Sequence, residues 1–321
     1  MIEVKGLSKY FGPVTAVDNI SFVVDKGEIL GFLGPNGAGK STTMRMITGY
    51  LPPSAGTALV GGRDIVNQGL EARQKIGYLP ENAPVYPDMT VLGFLNFCAE
   101  IRGFSGKERE KRVEGILERC YLKGVRHQSV GTLSKGFKQR VCFAQAILHD
   151  PPYLIMDEPT DGLDPNQKHE MRTMILEMAK EKTMIISTHI LEEVEAVCTR
   201  AIIIADGRLV ADDSPENLKQ MSRLHGTLRL EVEAKEGVDF QKELSAFSWV
   251  REVEILGPMS GEEGISRLRI FTDTPSIDPE RELWQFCCQR GWSVVSLLRE
   301  EGRLDEVFRM ITTTKKKQKE V

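Results

Sequence analysis

An α/β fold built on a phosphate-binding loop, followed by a smaller α+β region, is predicted by three observations. The first is Gly34-Pro35-Asn36-Gly37-Ala38-Gly39-Lys40-Ser41-Thr42, which satisfies G-x-x-x-x-G-K-[ST] between a strand-like run at 28–33 and a helix-like run at 42–48. The second is the acidic pair Asp157-Glu158 at the end of the apolar run 153–156. The third is a change of pattern near Gly226, after which short strands and helices follow in the order β-α-β-β-α-β.

The loop residues follow from what a triphosphate needs. Backbone N–H groups must wrap its oxygens closely, which glycine permits, and the first turn of the following helix adds unpaired donors and a positive dipole end. Lys40 is expected to reach the β- and γ-phosphates, and the Ser41 hydroxyl to ligate Mg²⁺.

Composition sets outer bounds. The 321 residues are 41% hydrophobic and 27% charged, with a net charge of −4. That describes a soluble globular chain of two domains, or one large domain and an appendage, with no electrostatic case for nucleic acid. No apolar run approaches the roughly 18–20 residues that span a bilayer. Ile2-Glu3-Val4 begins a strand pattern at once, without the pattern of a signal peptide. The six cysteines show no C-x-x-C pair and read as reduced structural thiols in the cytoplasm.

Along the chain, residues 2–5, 14–25 and 28–33 read as strands, with turns at 9–13 and 26–27. Tyr10-Phe11-Gly12 puts two aromatics in the first turn. Phe11 reads either as a ring that stacks on adenine or as a packed turn aromatic. Strands follow at 57–60 and 76–79, the latter ending at Pro80-Glu81-Asn82. From Met89 to about Gln128 the period is helical, with Phe94, Phe97, Cys98 and Ile101 on one face. Val113, Ile116, Leu117 and Cys120 lie on a second helix, so a helical block of about 86–150 is inserted between strand-rich parts.

Ser134 is a plausible N-cap for a helix that runs to His149 and stops at Pro151-Pro152. Asp157-Glu158 then stands where parallel α/β sheets bind ligands, at the C-terminal end of a buried strand. Gly162-Leu163-Asp164-Pro165 turns into a helix over 166–180. The strand 183–187 ends at Thr188-His189. A lone histidine is often structural, but one that follows a phosphate loop and an acidic strand end reads as functional. A hairpin over 202–205 and 208–211 turns at Asp206-Gly207.

In this order the motifs resemble those of the ATP-binding subunit of ABC transporters, over residues 1 to about 220. Residues 34–41 resemble Walker A, 133–137 the signature loop, 153–158 Walker B, Leu163-Asp164 the D-loop, and His189 the switch histidine. Leu79-Pro80-Glu81 and Leu133-Ser134-Lys135-Gly136 are similar to bacterial exporter subunits of the gliding-motility and multidrug type. Three positions depart from the broad family: Glu81 and Phe137 stand where most members have Gln, and Lys135 where most have Gly.

The resemblance implies a P-loop ABC ATPase fold over 1–222, with a RecA-like core, an antiparallel β subdomain and a helical subdomain. It implies ATP and Mg²⁺ as ligands. Gly34 to Thr42 would hold phosphates; Ser41, Asp157 and Glu81 would face Mg²⁺; Glu158 would be the general base, with Glu81 and His189 beside the γ-phosphate. Ser134, Gly136 and Asp164 would meet the ATP held by a second copy in a head-to-tail dimer. Lys135 is expected to offset the charge of Glu81 across that dimer, or else to face solvent. The implied partner is a separate transmembrane permease, which places the chain in the cytoplasm, peripheral on the inner face of the membrane. A soluble ABC ATPase acting on ribosome or nucleic acid is the rival; it usually carries two cassettes or a long coiled coil, and this chain shows one cassette and no sustained heptads.

The second region, 226–312, is expected to be a small ferredoxin-like accessory domain, with strands near 227–234, 250–256, 265–272 and 293–298 and helices near 240–247, 279–289 and 304–311. The tail 313–321, with Lys315, Lys316, Lys317 and Lys319, reads as a solvated end or a membrane-surface contact.

Overall fold

In a computed structural model, which describes residues 1–82, 84–234, 237–258, 264–272 and 278–318, the chain divides into two compact units, Met1–Pro215 and Glu216–Val321. The first opens with a hairpin of β1 (Ile2–Phe11) and β2 (Val14–Val24). The strand runs further than expected. Tyr10 and Phe11 pair with Thr15 and Val14, which leaves a two-residue turn at Gly12-Pro13. β3 (Ile29–Leu33) is buried throughout and leads through the loop to α1 (Lys40–Ile47). β4 (Ala55–Val60), β5 (Arg63–Asp64), α2 (Gly69–Gln74) and β6 (Ile76–Leu79) follow.

The helical insert, about 86–150, holds α3 (Val91–Ile101), α4 (Gly106–Arg119) and α5 (Lys135–Ile147). Val113, Ile116, Leu117 and Cys120 are buried as expected. The apolar stripe of α3 is Val91, Phe94, Leu95 and Ala99 instead, and Ile101 is 69% exposed because it is the last helical residue and overruns the core. Arg140 on α5 is nearly buried. It stacks 5.4 Å from the Phe137 ring and 5.8 Å from that of Tyr121, and pairs with Glu170. Phe137 therefore serves a cation–π stack that a glutamine would not provide.

After α5 come β7 (Tyr153–Asp157), α6 (Pro165–Ala179), β8 (Thr183–Thr188), α7 (Leu191–Val197), β9 (Arg200–Ala205) and β10 (Arg208–Asp213). Asp206 and Gly207, both at positive φ, make the tight β9–β10 turn. The strands form two sheets, β2-β1-β4-β5 and β10-β9-β3-β8-β7-β6. The second is parallel apart from β10. Both its faces are covered, as a parallel sheet requires. Leu30, Phe32, Ile155, Ile185 and Ile202 join the core shared with α1 and the antiparallel sheet. Ile29, Leu154, Met156, Met184 and Ile186 join the core shared with α3 to α6.

The second unit begins within α8 (Pro215–Gln220) and continues with β11 (Leu228–Glu233), α9 (Phe240–Leu244), β12 (Val250–Pro258), β13 (Ile265–Thr272), α10 (Pro279–Arg290), β14 (Ser293–Arg299) and α11 (Leu304–Gln318). Its sheet is antiparallel in the order β12-β13-β11-β14. Leu230, Val232, Ile270 and Leu283 are at its core, with edge-to-face rings of Phe240, Phe286 and Trp292. The last helix is longer than expected and takes in part of the basic tail, whose side chains lie outside the described residues.

The cysteines are unpaired, and burial pushes the thiols of Cys120, Cys142 and Cys198 up to about 12, so they pack as small apolar groups.

His149, just past α5, donates from Nε2 to the Ile76 carbonyl at 3.1 Å, while its Nδ1 is buried without a partner. Burial, then the nearby Arg102 guanidinium, lowers its pKa from 6.5 to about 4. Between those values the unfolded chain takes up a proton that the fold refuses, so stability falls as pH drops through this window. His149→Gln keeps a donor for Ile76 and removes the titration. The melting temperature of the variant is expected to fall less than that of the parent between pH 7 and pH 5, measured by thermal melts across that range.

Candidate functional site

Register places the site. β3, β8 and β7 are parallel neighbours, with Leu33 opposite Thr188 and Asp157 opposite Ser187. The loop after β3, the acidic end of β7 and the histidine after β8 therefore emerge at one level of one sheet edge. At the foot of α1, Gly39 caps the helix with φ at 106°. A Cβ there would lie 2.5 Å from the Ala16 carbonyl oxygen, so both conformation and space demand glycine.

Lys40 is buried. Its ammonium donates to the Gly34 carbonyl at 2.8 Å and lies 3.5 Å from Glu158 Oε1. The other oxygen of Glu158 accepts from His189 Nδ1 at 3.0 Å. The carboxylate is thus suspended between a cation and an imidazole. Glu158 holds this place at a φ of 51°, a region that non-glycine residues rarely occupy and that recurs at functional sites. Its N–H donates to Ser187 O at 3.0 Å.

Asp157 is fully buried. Oδ1 accepts from Ser41 Oγ at 3.2 Å and from the Ser187 hydroxyl, and Oδ2 has no partner. Burial raises its pKa, against the two serine hydrogen bonds. A buried carboxylate with one orphan oxygen, beside a hydroxyl, is a hard-oxygen donor pair. It fits Mg²⁺, which takes one or two carboxylates and fills its other positions with phosphate oxygens and water.

A cleft of about 310 Å³ opens here, lined by Ala16, Asn36, Gly37, Gly39, Lys40, Ser41, Thr42, Glu81 and Glu158. Glu81 is therefore brought to the loop from the end of β6. Gly34 and Pro35 act through the carbonyls that hold Lys40, and Ala38 is buried against the core.

Phe11, Ser134, Gly136 and Asp164 are not among the residues that line the cleft. Phe11 is the last residue of β1, 49% exposed, with Lys9 Nζ 5.3 Å from its ring centroid. Ser134 caps α5, accepting from Phe137 N at 3.4 Å. Gly136 is pressed against the Gln167 side chain, which a Cβ would strike. Asp164 caps α6, accepting from Gln167 N at 2.9 Å. Lys135 is largely exposed, and its ammonium lies 2.9 Å from Asp161 of its own chain.

Two contributors escaped the sequence reading. Ser187 had a signal, as a polar residue at the end of an apolar strand beside Asp157. Ala16 had none, because it arrives from the antiparallel sheet and contributes only its backbone and small size.

Residues 17–161 match the family described as ABC transporter. The chain is 39% identical over 223 residues to the "Probable multidrug ABC transporter ATP-binding protein YbhF" of Escherichia coli (strain K12); the match covers 69% of this chain and spans 38% of the length of that relative. It is 36% identical over 257 residues to the "Nod factor export ATP-binding protein I" of Burkholderia lata, covering 80% of this chain and 83% of that protein. Among solved structures it resembles the dimeric bacterial ABC transporter cassette MJ0796, with a TM-score of 0.63 at 26% identity, over 67% of this chain and 99% of that one. The phosphate loop, the Asp157-Glu158 strand end, the histidine after β8 and these likenesses converge, and the chain belongs to the ATP-binding proteins of the ABC transporter family.

Proposed function

We propose that the protein hydrolyses Mg-ATP as the motor subunit of an exporter, closing head to tail with a second cassette and driving a separate membrane-spanning permease. The observation that carries this reading is the Glu158 carboxylate at the rim of the phosphate cleft, held between Lys40 and His189.

The chemistry assigned to this chain is positioning and charge placement. Loop amides and Lys40 hold the phosphates. Glu158 accepts the proton of the attacking water, and His189, through its bond to Glu158, fixes the orientation of that base. Ser41 and Asp157 would hold Mg²⁺, with Glu81 a further oxygen on the cleft wall; the ion would neutralise phosphate charge. Ser134 and Gly136, at the N-terminus of α5, would present unpaired amides and the helix dipole to the ATP of the second copy. The adenine role of Phe11 rests on its exposed ring alone.

The relatives' names support export, and the dimeric cassette supports pairing. Among the described residues no helix is long and apolar enough to cross a membrane; we take the permease to be a separate chain and set the cassette on the cytoplasmic face. A groove of about 410 Å³ beside the Glu81 loop, lined in part by Tyr50, Tyr78, Pro80, Asn82 and Arg102, is where that partner would sense the cleft. Tyr50 is 77% exposed there, an aromatic left for a partner to cover. The second unit we read as a ferredoxin-like accessory domain, on its element order and its sheet order.

Two outcomes test this. Glu158→Gln keeps shape and removes the base, so kcat should fall about a hundredfold or more while an ATP-bound dimer persists on size-exclusion chromatography. Lys40→Ala should weaken ATP binding about tenfold or more, since it removes a charged hydrogen-bond donor. Near-normal turnover by Glu158→Gln would remove the base assignment.

Every proposed catalytic group precedes residue 216, and α8 closes by residue 220. A fragment of residues 1–222 should therefore fold and hydrolyse ATP by itself. A folded fragment that fails to bind ATP in calorimetry would show that the division of labour is wrong.

A further inference from the structure

Lys135 occupies the first position of α5, whose first turn holds no acidic residue. A cation there opposes the positive end of the helix dipole. The chain compensates with Asp161, whose Oδ2 lies 2.9 Å from the lysine ammonium. The lysine stem also fills the space beside Gly162, where a Cβ would collide with it.

Asp161 lies one turn beyond the base. Its N–H donates to the Glu158 carbonyl at 3.2 Å. One helical turn further along α5, Gln139 Nε2 donates to the Pro159 carbonyl at 3.3 Å. The first two turns of α5 thus hold the segment that leaves β7 at two points, Pro159 and Asp161. Glu158 needs such a grip, because its left-handed backbone persists only when its surroundings over-determine it. Ser187 holds its N–H, and the Asp161 turn holds its carbonyl.

We propose that Lys135 is a positioning residue: through Asp161 it locks the turn that follows Glu158 and so aims the carboxylate at the reacting water. The inference rests on reading Glu158 as the general base. It places the partner of Lys135 in the same chain, one turn from the base, rather than at Glu81 of a second copy. The pair is exposed, 61% and 48%, so its leverage lies in geometry rather than in energy.

The test uses the full chain with Lys135→Gln, Asp161→Asn, the double variant and the charge swap Lys135→Glu with Asp161→Lys. Each single variant should lower kcat about twofold to fivefold, the span of an exposed ion pair, with KM for ATP unchanged. The double variant should be no slower than the slower single one, and the swap should recover most of the parental kcat. In nucleotide-free protein, Lys135→Gln should speed amide hydrogen exchange across 158–164.

Effects that multiply in the double variant, a swap without recovery, or unchanged exchange would overturn the proposal. So would absorption of the Lys135→Gln effect by Glu81→Gln, which would restore the pairing across the dimer. Full turnover by Glu158→Gln would instead remove the base assignment alone, and the exchange measurement would still judge the Lys135 contact.

Discussion

Three parallel strands ending at one height make the rest of this molecule possible. With Leu33 opposite Thr188, and Asp157 opposite Ser187, the residues just past each strand meet without any long loop having to find its target. A slip of one residue in β7 would turn Asp157 to the other face of the sheet and send Glu158 away from Lys40. The constraint is enforced far from the cleft, by apolar side chains on both faces of the sheet. Leu154 and Met156 look into one core and Ile155 into the other, so a shifted register would bury none of them correctly. Catalytic geometry here is a by-product of hydrophobic packing.

This explains what could and could not be read from the chain. Short-range patterns were legible: the glycine loop before α1, the acidic end of β7, the Asp206-Gly207 turn and the strand and helix order of the second unit. Each depends on residues within a few positions of one another. Long-range placement was not. Ala16 reaches the cleft from a separate sheet, and its side chain carries no chemical signal. Asp164 looks like part of a ligand site, yet its carboxylate caps α6, as Asp commonly does before a helix. Phe11 falls within the expected turn over 9–13, but Gly12-Pro13 alone closes that hairpin. Lys135 and Asp161 are 26 positions apart in sequence, and only the fold brings them together.

The two units manage charge differently. In the first, Glu158 is buried between Lys40 and His189, and Asp157 keeps one orphan oxygen. In the second, charges on the sheet and its flanks neutralise one another locally. Glu231 lies between Arg229 and Arg267, and Arg269 pairs with both Glu254 and Glu300. Arg269 gains a raised pKa and Glu300 a lowered one, the directions their mutual hydrogen bonds favour against burial. Such a network consumes its own charge locally.

The tight turn between β9 and β10 bears on how the protein can be handled. Hairpin tips of this kind are ordinarily where a chain accepts an inserted tag or a fused reporter. This one is tied down on both sides: Gly207 N donates to the Ala38 carbonyl of the phosphate loop at 3.0 Å, and Gly207 O accepts from Asp18 N at 2.8 Å. The Ala16 carbonyl lies 2.9 Å from where a Cβ at Gly207 would sit. A label placed there would pull on the backbone that cradles the phosphates, so this turn is an inner brace of the nucleotide cleft and a poor site for grafting.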